Sequence, residues 1–197
     1  MAGEAHPDRV SYGEYLTLER RSDVKHEYVN GRIYAMAGGT PEHGRLTMSI
    51  GRLLGAALEG RPCAVFSSDV RVRVAATGRS TYPDLSVVCG RLERAADDPD
   101  AIINPVVLVE VLSASTEAAD RGDKFAHYRR LPSLEEYALI AQDTPRVEVF
   151  RRQRDEQGET WIMSEFGPGQ TVHLASLGVD FTLDELYHDP LGSAPRT

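Results

Sequence analysis

An apolar run in the middle of the chain contains a single carboxylate. Residues 106–112 read Val-Val-Leu-Val-Glu-Val-Leu, so apolar β-forming residues surround Glu110. A continuous apolar run of this length predicts a central strand that is covered on both faces. A carboxylate buried there without a partner costs on the order of several kcal/mol or takes up a proton. The pattern therefore predicts a cation beside Glu110, either a basic side chain or a metal ion.

Periodic and alternating patterns predict the other elements. Ser11 and Glu14 form a capping-box pattern at the start of a helix that runs to about residue 20. Asn30-Gly31 between two apolar segments predicts an N-terminal β-hairpin. Further helices are predicted over 43–59 and 120–131, with Asp120 as the N-cap of the second. Strands are predicted at 64–66, 69–74, 82–89, 106–112, 137–140, 147–151, 161–166 and 171–174.

The order of these elements is typical of an α/β (α+β) fold in which helices flank a mixed central β-sheet. We expect a single domain over residues 11–187, preceded by a flexible leader at 1–10 and followed by a flexible tail at 188–197. Residues 91–101 read as a charged excursion on the surface.

Length and composition favour one globular, cytoplasmic domain. The chain has 197 residues and is 41% hydrophobic, which suffices for one good core. No stretch approaches the roughly 18 apolar residues that span a bilayer, so no membrane partner is expected. The polar, acidic N-terminus is unlike a signal peptide. Cys63 and Cys89 have neither metal-ligand nor redox spacing, and we expect both to be reduced, buried core residues at strand ends.

Charge limits the partners. The net charge of −8 argues against a protein that coats nucleic acid by bulk electrostatics. It does not exclude a nucleic-acid enzyme, because carboxylates in an active site are neutralised by a divalent metal. Only Lys25 and Lys124 are lysines among the 22 basic residues. Since arginine is the default cation here, Lys124 is a candidate for a task that needs a compact charge.

Three residues form a candidate catalytic group. Asp84 starts a strand just after Pro83, Glu110 lies in the strand that we expect to pair beside it, and Lys124 is near the start of the next helix. Two carboxylates on adjacent strands can hold one Mg²⁺ ion, which prefers oxygen ligands and keeps several waters. Such an ion activates water, and a nearby ammonium stabilises charge on a phosphate.

This arrangement resembles the PD-(D/E)XK nuclease superfamily and, within it, the Uma-type family of restriction-endonuclease-like proteins. The matching segments are Pro83-Asp84, Glu110-Val111-Leu112-Ser113 with Ser115-Thr116, Asp120-Arg121-Gly122-Asp123-Lys124 with Tyr128, residues 131–137, Glu27-Tyr28-Val29-Asn30-Gly31 and His43-Gly44. The likeness covers roughly residues 11–187. It implies a restriction-endonuclease-like core and hydrolysis of DNA phosphodiester bonds, with Mg²⁺ as the cofactor and Mn²⁺ as a substitute.

The resemblance also implies roles for single residues. Asp84 and Glu110 would hold the metal together with the Val111 carbonyl, and Glu27 would join the acidic cluster. The superfamily's catalytic lysine is replaced by Leu112, so the family pattern moves this role to Lys124 on the following helix. Many nucleases that cut both strands dimerise, which makes a homodimer a further expectation.

Each assignment has a structural alternative. Glu110 could be one half of a structural ion pair with an arginine, and Asp84 could cap a turn. Lys124 could form an ordinary i,i+4 pair with Asp120. Glu27 could be an exposed strand carboxylate, and His43 a solvated residue at a helix start rather than a phosphate or water ligand.

Three further side chains are not expected to take part in catalysis. Tyr128 is expected to provide packing or hydroxyl support. Arg71 and Arg73 are expected to lie on a solvated strand face, with contact to a DNA backbone as the other possibility. For the whole chain, the alternatives to a nuclease are a catalytically silent nucleic-acid- or protein-binding module and a hydrolase of smaller phosphate esters.

Overall fold

A computed structural model describes residues 9–113, 116–156 and 158–192. The strands are β1 His26–Val29, β2 Arg32–Ala35, β3 Cys63–Ser67, β4 Arg71–Val74, β5 Arg79–Thr81, β6 Leu85–Cys89, β7 Arg94–Ala95, β8 Asp98–Ile102, β9 Val107–Leu112, β10 Glu136–Ala141, β11 Val147–Asp155, β12 Gly158–Phe166, β13 Thr171–Leu174 and β14 Val179–Thr182. The helices are α1 Tyr12–Glu19, α2 Pro41–Ala57, α3 Glu117–Ala119, α4 Phe125–Tyr128 and α5 Leu183–Tyr187.

The central sheet is mixed, as the sequence predicted. Its strand order is β12-β11-β10-β9-β6-β3, and β9 and β10 are parallel while the other neighbours are antiparallel. Parallel neighbours need a long crossover, which the helical segment between β9 and β10 provides. The apolar run around Glu110 is therefore an inner strand with a neighbour on each side, in agreement with its sequence.

A second six-stranded sheet was not foreseen. Its order is β2-β1-β5-β4-β8-β7, so the N-terminal hairpin forms one end of it. Residues 91–101 were predicted as a surface excursion, but they supply β7 and most of β8. Most of the segment is exposed, as predicted, but it also forms strands, because Asp98 is buried and pairs with Arg71 of β4. The segment after β13, which forms β14 and α5, was also missed.

Each face of the central sheet has its own core. Val107, Val109 and Val111 pack on the face that α2 covers through Leu46 and Ile50. The alternate residues of the same strand, Leu108 and Leu112, face a cluster that includes Val72 of the second sheet and Tyr128 of α4. Because side chains alternate along a strand, Glu110 faces this second side, between the two sheets.

Local signals at the N-terminus were read correctly. Ser11 caps α1, and the Glu14 side chain bonds back to it in a complete capping box. Asn30 and Gly31 connect β1 and β2 with φ angles of 49° and 90°, the left-handed conformation that a two-residue hairpin turn requires. Residues 1–8 of the predicted leader and 193–197 of the predicted tail lie outside the described residues, while the Val10 N–H donates to Gly31.

Arg71 and Arg73 are neither solvated nor available to DNA. Both are buried, and Arg71 donates to both carboxylate oxygens of Asp98 at 2.9 Å. Arg73 pairs with Asp97 and lies 3.8 Å from the centre of the Tyr12 ring. The expectation of a solvated face was wrong because the partners come from β8 and α1, which the pattern of a single strand does not reveal.

The two cysteines form a disulfide, contrary to the expectation of free thiols. Cys63 begins β3 and Cys89 ends β6, and the antiparallel register places them directly opposite with their Cα atoms 4.0 Å apart. The pairing was missed because it depends on strand register across 26 residues. Cytoplasmic localisation stays a prediction. Within the part of the chain that the structure describes, no helix combines the length and apolarity of a membrane span.

The buried Arg71–Asp98 pair should stabilise the second sheet strongly. We expect Asp98→Ala to lower the free energy of unfolding by about 3–5 kcal/mol, because it leaves a buried guanidinium without its anion. Asp69→Ala removes a carboxylate that is 76% exposed and pairs with the partly exposed Lys25, so its cost should stay within about 1 kcal/mol. Urea denaturation of the two variants tests this, and equal losses would contradict the assignment.

Candidate functional site

Asp84 lies at the point where pairing between β6 and β9 ends. Leu85 pairs with Val109, and continuing this antiparallel register puts Asp84 opposite Glu110. Pro83 has no N–H, and the Asp84 carboxylate Oδ2 accepts a hydrogen bond from the Val111 N–H at 2.7 Å. The N–H and C=O of one strand residue point to the same side, so the Val111 carbonyl also faces Asp84.

His43 holds the other oxygen of Asp84. Its Nε2 lies 3.0 Å from Asp84 Oδ1, and Thr40 caps α2 by accepting the His43 backbone N–H. The hydrogen bond to Asp84 raises the pKa of His43 despite its partial burial. The solvated alternative for His43 is therefore wrong, because the first turn of α2 points it into the site.

Glu110 is almost fully buried, with 3% of its surface exposed. Its Oε1 accepts hydrogen bonds from the Lys124 Nζ at 3.1 Å and from the Tyr128 hydroxyl at 2.9 Å. Burial raises the pKa of Glu110 to about 8, and the Asp84 and Asp120 carboxylates add to this while Lys124 opposes it. Burial also keeps the Tyr128 hydroxyl protonated by raising its pKa. Tyr128 thus provides the hydroxyl support that the sequence suggested.

Lys124 reaches Glu110 from a continuous helical segment. α3, a π turn at Asp120–Lys124 and α4 follow one another without a break, and π turns often occur at functional sites. Lys124 Nζ lies 2.8 Å from Asp120 Oδ1 and 3.8 Å from Glu27 Oε1. Burial disfavours the ammonium, but the surrounding carboxylates outweigh it and raise the pKa of Lys124. The ammonium therefore stays charged at neutral pH.

Asp120 was predicted as the N-cap of this helix, and that prediction was wrong. The N-cap is Thr116, and Asp120 lies one turn inside the helix with 1% of its surface exposed. The i,i+4 pair between Asp120 and Lys124 exists, but it is buried and shared with Glu110. Lys124 therefore forms both the i,i+4 pair with Asp120 and the contact with Glu110 in the site.

The second sheet contributes Glu27, Arg79 and Thr81. Glu27 Oε2 accepts from Arg79 at 2.9 Å, and Glu27 Oε1 accepts from the Thr81 hydroxyl. Arg79 also pairs with Asp123 of the π turn. Glu27 is therefore not an exposed strand carboxylate. Arg79 and Thr81 were not predicted from the sequence, because one arginine among nineteen others carries no distinguishing local signal.

These side chains line one cleft with a volume of about 450 Å³. Its lining includes Glu27, Asp84, Glu110 and Val111 together with Lys124, so all five sequence-predicted site residues are brought together. Among the residues with described positions, no three His, Cys, Asp or Glu side chains form a ready-made metal cage. Carboxylate and carbonyl oxygens of the kind that Mg²⁺ prefers nevertheless line the cleft.

The chain has relatives along nearly its whole length. Two uncharacterized proteins of Synechocystis sp. are 35% identical over 179 residues and 36% identical over 156 residues. The first alignment covers 91% of this chain and 92% of the relative, and the second covers 79% and 86%.

A crystal structure of "a putative nuclease belonging to DUF820" from Anabaena variabilis has the same fold. Its TM-score is 0.73 at 20% identity, and the match covers 90% of this chain and 97% of that chain. A family model described as "Putative restriction endonuclease" matches residues 12–185. The resemblance inferred from the sequence is confirmed, and the chain belongs to the Uma2 family.

Proposed function

We propose that the protein is a Mg²⁺-dependent endonuclease that hydrolyses DNA phosphodiester bonds, with Mn²⁺ as an alternative ion. The observation that carries the proposal is the convergence of Asp84, Glu110 and Lys124 in one cleft, although they come from three separate elements. Membership in a family described as restriction endonucleases supports the same reaction class.

The charge of the cluster favours binding of a cation. Four carboxylates, Glu27, Asp84, Glu110 and Asp120, line the cleft against the cations Arg79 and Lys124. Burial is the main cause of the raised pKa of Glu110, and the neighbouring carboxylates raise it further, so a positive charge bound here would stabilise the ionised form. A bound divalent ion would supply this positive charge.

The oxygen atoms fit such an ion. We assign the metal to Asp84, Glu110 and the Val111 carbonyl, with waters in the remaining positions. When bound, Mg²⁺ would lower the pKa of a coordinated water and polarise the phosphate.

The chain's own residues would orient the reactants. Lys124 stays cationic and cannot act as a base, so we assign it to holding the attacking water and to stabilising negative charge on the phosphate. Tyr128 and Asp120 keep Glu110 and the ammonium in place through hydrogen bonds. Glu27 assists by adding negative charge 3.8 Å from Lys124 Nζ. The expected homodimer stays a prediction.

Metal binding can be measured without turnover. Isothermal calorimetry should detect Mg²⁺ or Mn²⁺ binding to the full chain, and Glu110→Gln should weaken it by at least about 100-fold, more than the loss of an outer-shell partner. Glu135→Gln, which changes a carboxylate paired with Arg154 outside the cleft, is the matched control. Unchanged binding in Glu110→Gln would remove Glu110 from the metal site.

Stability should depend on pH through Glu110 when metal is chelated. The pKa of Glu110 in the folded protein, about 8, exceeds the ordinary value of 4.5. Its stabilising contribution to the free energy of unfolding is therefore complete below pH 4.5 and is lost as the pH rises through 8. As the pH rises between these values, the free energy of unfolding of Glu110→Gln should therefore increase relative to that of the wild type by up to about 1.4 kcal/mol per pH unit. Urea unfolding in EDTA at about pH 5 and about pH 8 measures this.

The matched variant for this comparison is Glu59→Gln, which alters an exposed carboxylate after α2. Its stability should run parallel to that of the wild type at both pH values. A parallel course for Glu110→Gln as well would contradict the raised pKa of Glu110.

Cleavage is tested in Mn²⁺ on a supercoiled plasmid and on a single-stranded circular DNA. Lys124→Ala should lower the rate by about 100-fold or more, because a charge-stabilising donor is lost. Lys25→Ala is the control, since this second lysine pairs with Asp69 at the surface and its loss should change little. DNA binding without cleavage of either DNA form by the wild type would instead favour a silent binding module, and turnover of small phosphodiesters alone would favour a hydrolase of smaller phosphate esters.

A further inference from the structure

One wall of the cleft carries no charge. Residues 34–40 read Tyr-Ala-Met-Ala-Gly-Gly-Thr and run from the end of β2 to the N-cap of α2. All seven line the cleft, and most of them are exposed. Tyr34 is the only aromatic residue among them and is 49% exposed. An exposed aromatic ring on an uncharged wall can pack against a flat, apolar group of a ligand.

Tyr34 stands next to the charged cluster. In the β1–β2 hairpin it pairs with Glu27, and directly opposed residues in antiparallel strands place their side chains on the same face. Glu27 in turn lies 3.8 Å from the Lys124 ammonium. A ligand that presents a phosphate to Lys124 and the carboxylate-bound metal would therefore have its neighbouring groups within reach of the Tyr34 ring.

The cations of the cleft are already engaged within the protein. Arg79 pairs with Glu27 and Asp123, and Lys124 pairs with Glu110 and Asp120. Proteins that grip duplex DNA neutralise many phosphates with arginine and lysine, and the uncharged wall offers none. Single strands are held differently, because their unpaired bases stack on aromatic side chains.

The size of the cleft also favours a single strand over a duplex as the ligand. Its volume of about 450 Å³ lies in the range of pockets that enclose one small ligand. Glu110 lies at its base with 3% exposure, so the reacting phosphate has to enter the cleft. An unpaired nucleotide can be drawn in without breaking base pairs, whereas a nucleotide in a duplex must first be unstacked and unpaired.

We infer that the substrate is single-stranded DNA and that Tyr34 is its binding residue, which stacks on the base next to the phosphate that is cut. This inference rests on the proposed nuclease function and narrows its substrate class. It assigns the uncharged wall to the bases and the acidic, metal-binding side to the backbone. The duplex is the poorer ligand because its bases are occupied with each other.

The test measures binding and cleavage separately on the full chain. Fluorescence anisotropy with a labelled oligodeoxynucleotide in Ca²⁺, offered as single strand and as blunt duplex, gives the two affinities. We expect the single strand to bind at least about tenfold more tightly than the duplex. Tyr34→Phe keeps the ring and should stay within about twofold of the wild type, while Tyr34→Leu should weaken single-strand binding by about 5–100-fold.

The outcomes distinguish this inference from the proposed function. Equal affinity for the two DNA forms, or equal binding by Tyr34→Leu and Tyr34→Phe, overturns the stacking role, even if a plasmid is nicked. Preferential single-strand binding that depends on the ring supports it. If single-strand binding depends on the ring but neither DNA form is cut in Mn²⁺, the result contradicts the proposed nuclease function and supports the stacking role of Tyr34.

Discussion

The contact between Glu110 and Lys124 is the interaction on which the arrangement of the molecule depends. A carboxylate at 3% exposure and an ammonium held 3.1 Å away would each be costly alone. Both are tolerated because the central strand fixes Glu110 and the helical crossover returns Lys124 to the same face. Tyr128, on the same continuous helical segment as Lys124, adds a hydrogen bond to the same Glu110 oxygen.

The second sheet completes this polar centre. It covers the face of the central sheet on which Glu110 lies, and it brings Glu27 and Arg79 to the cluster. The result is a largely buried group of side chains with more carboxylates than cations. Burial weakens the solvation of these charges, so an additional positive charge is favoured there. Burial is also the main cause of the raised pKa of Glu110.

Some arginines of this protein are structural rather than exposed. Arg71, Arg79 and Arg152 are buried and tie Asp98, Glu27 and the Pro132 and Leu131 carbonyls into the fold. A strand that alternates Val and Arg, as β4 does, is therefore no sign of a nucleic-acid surface here. Because Arg79 and Lys124 in the cleft are paired internally, the proposed recognition of DNA assigns the phosphate to a metal ion and the bases to uncharged contacts.

Much of this molecule could be predicted from sequence because the signals were local or belonged to a known family pattern. The apolar run around Glu110, the Asn30-Gly31 turn and the Ser11 cap are short-range features, and Asp84, Val111 and Lys124 were found through family motifs. Other features depended on which strands pair and in what register. These include the second sheet, the burial of Arg71 and Arg73, the Cys63–Cys89 disulfide, and the places of His43, Asp120 and Arg79 in the site. The sequence by itself determined the inner strand and the residue types of the site, since side-chain alternation and composition act over a few residues. Only the tertiary structure decided their partners, because contacts between distant segments are set by packing that no local pattern encodes.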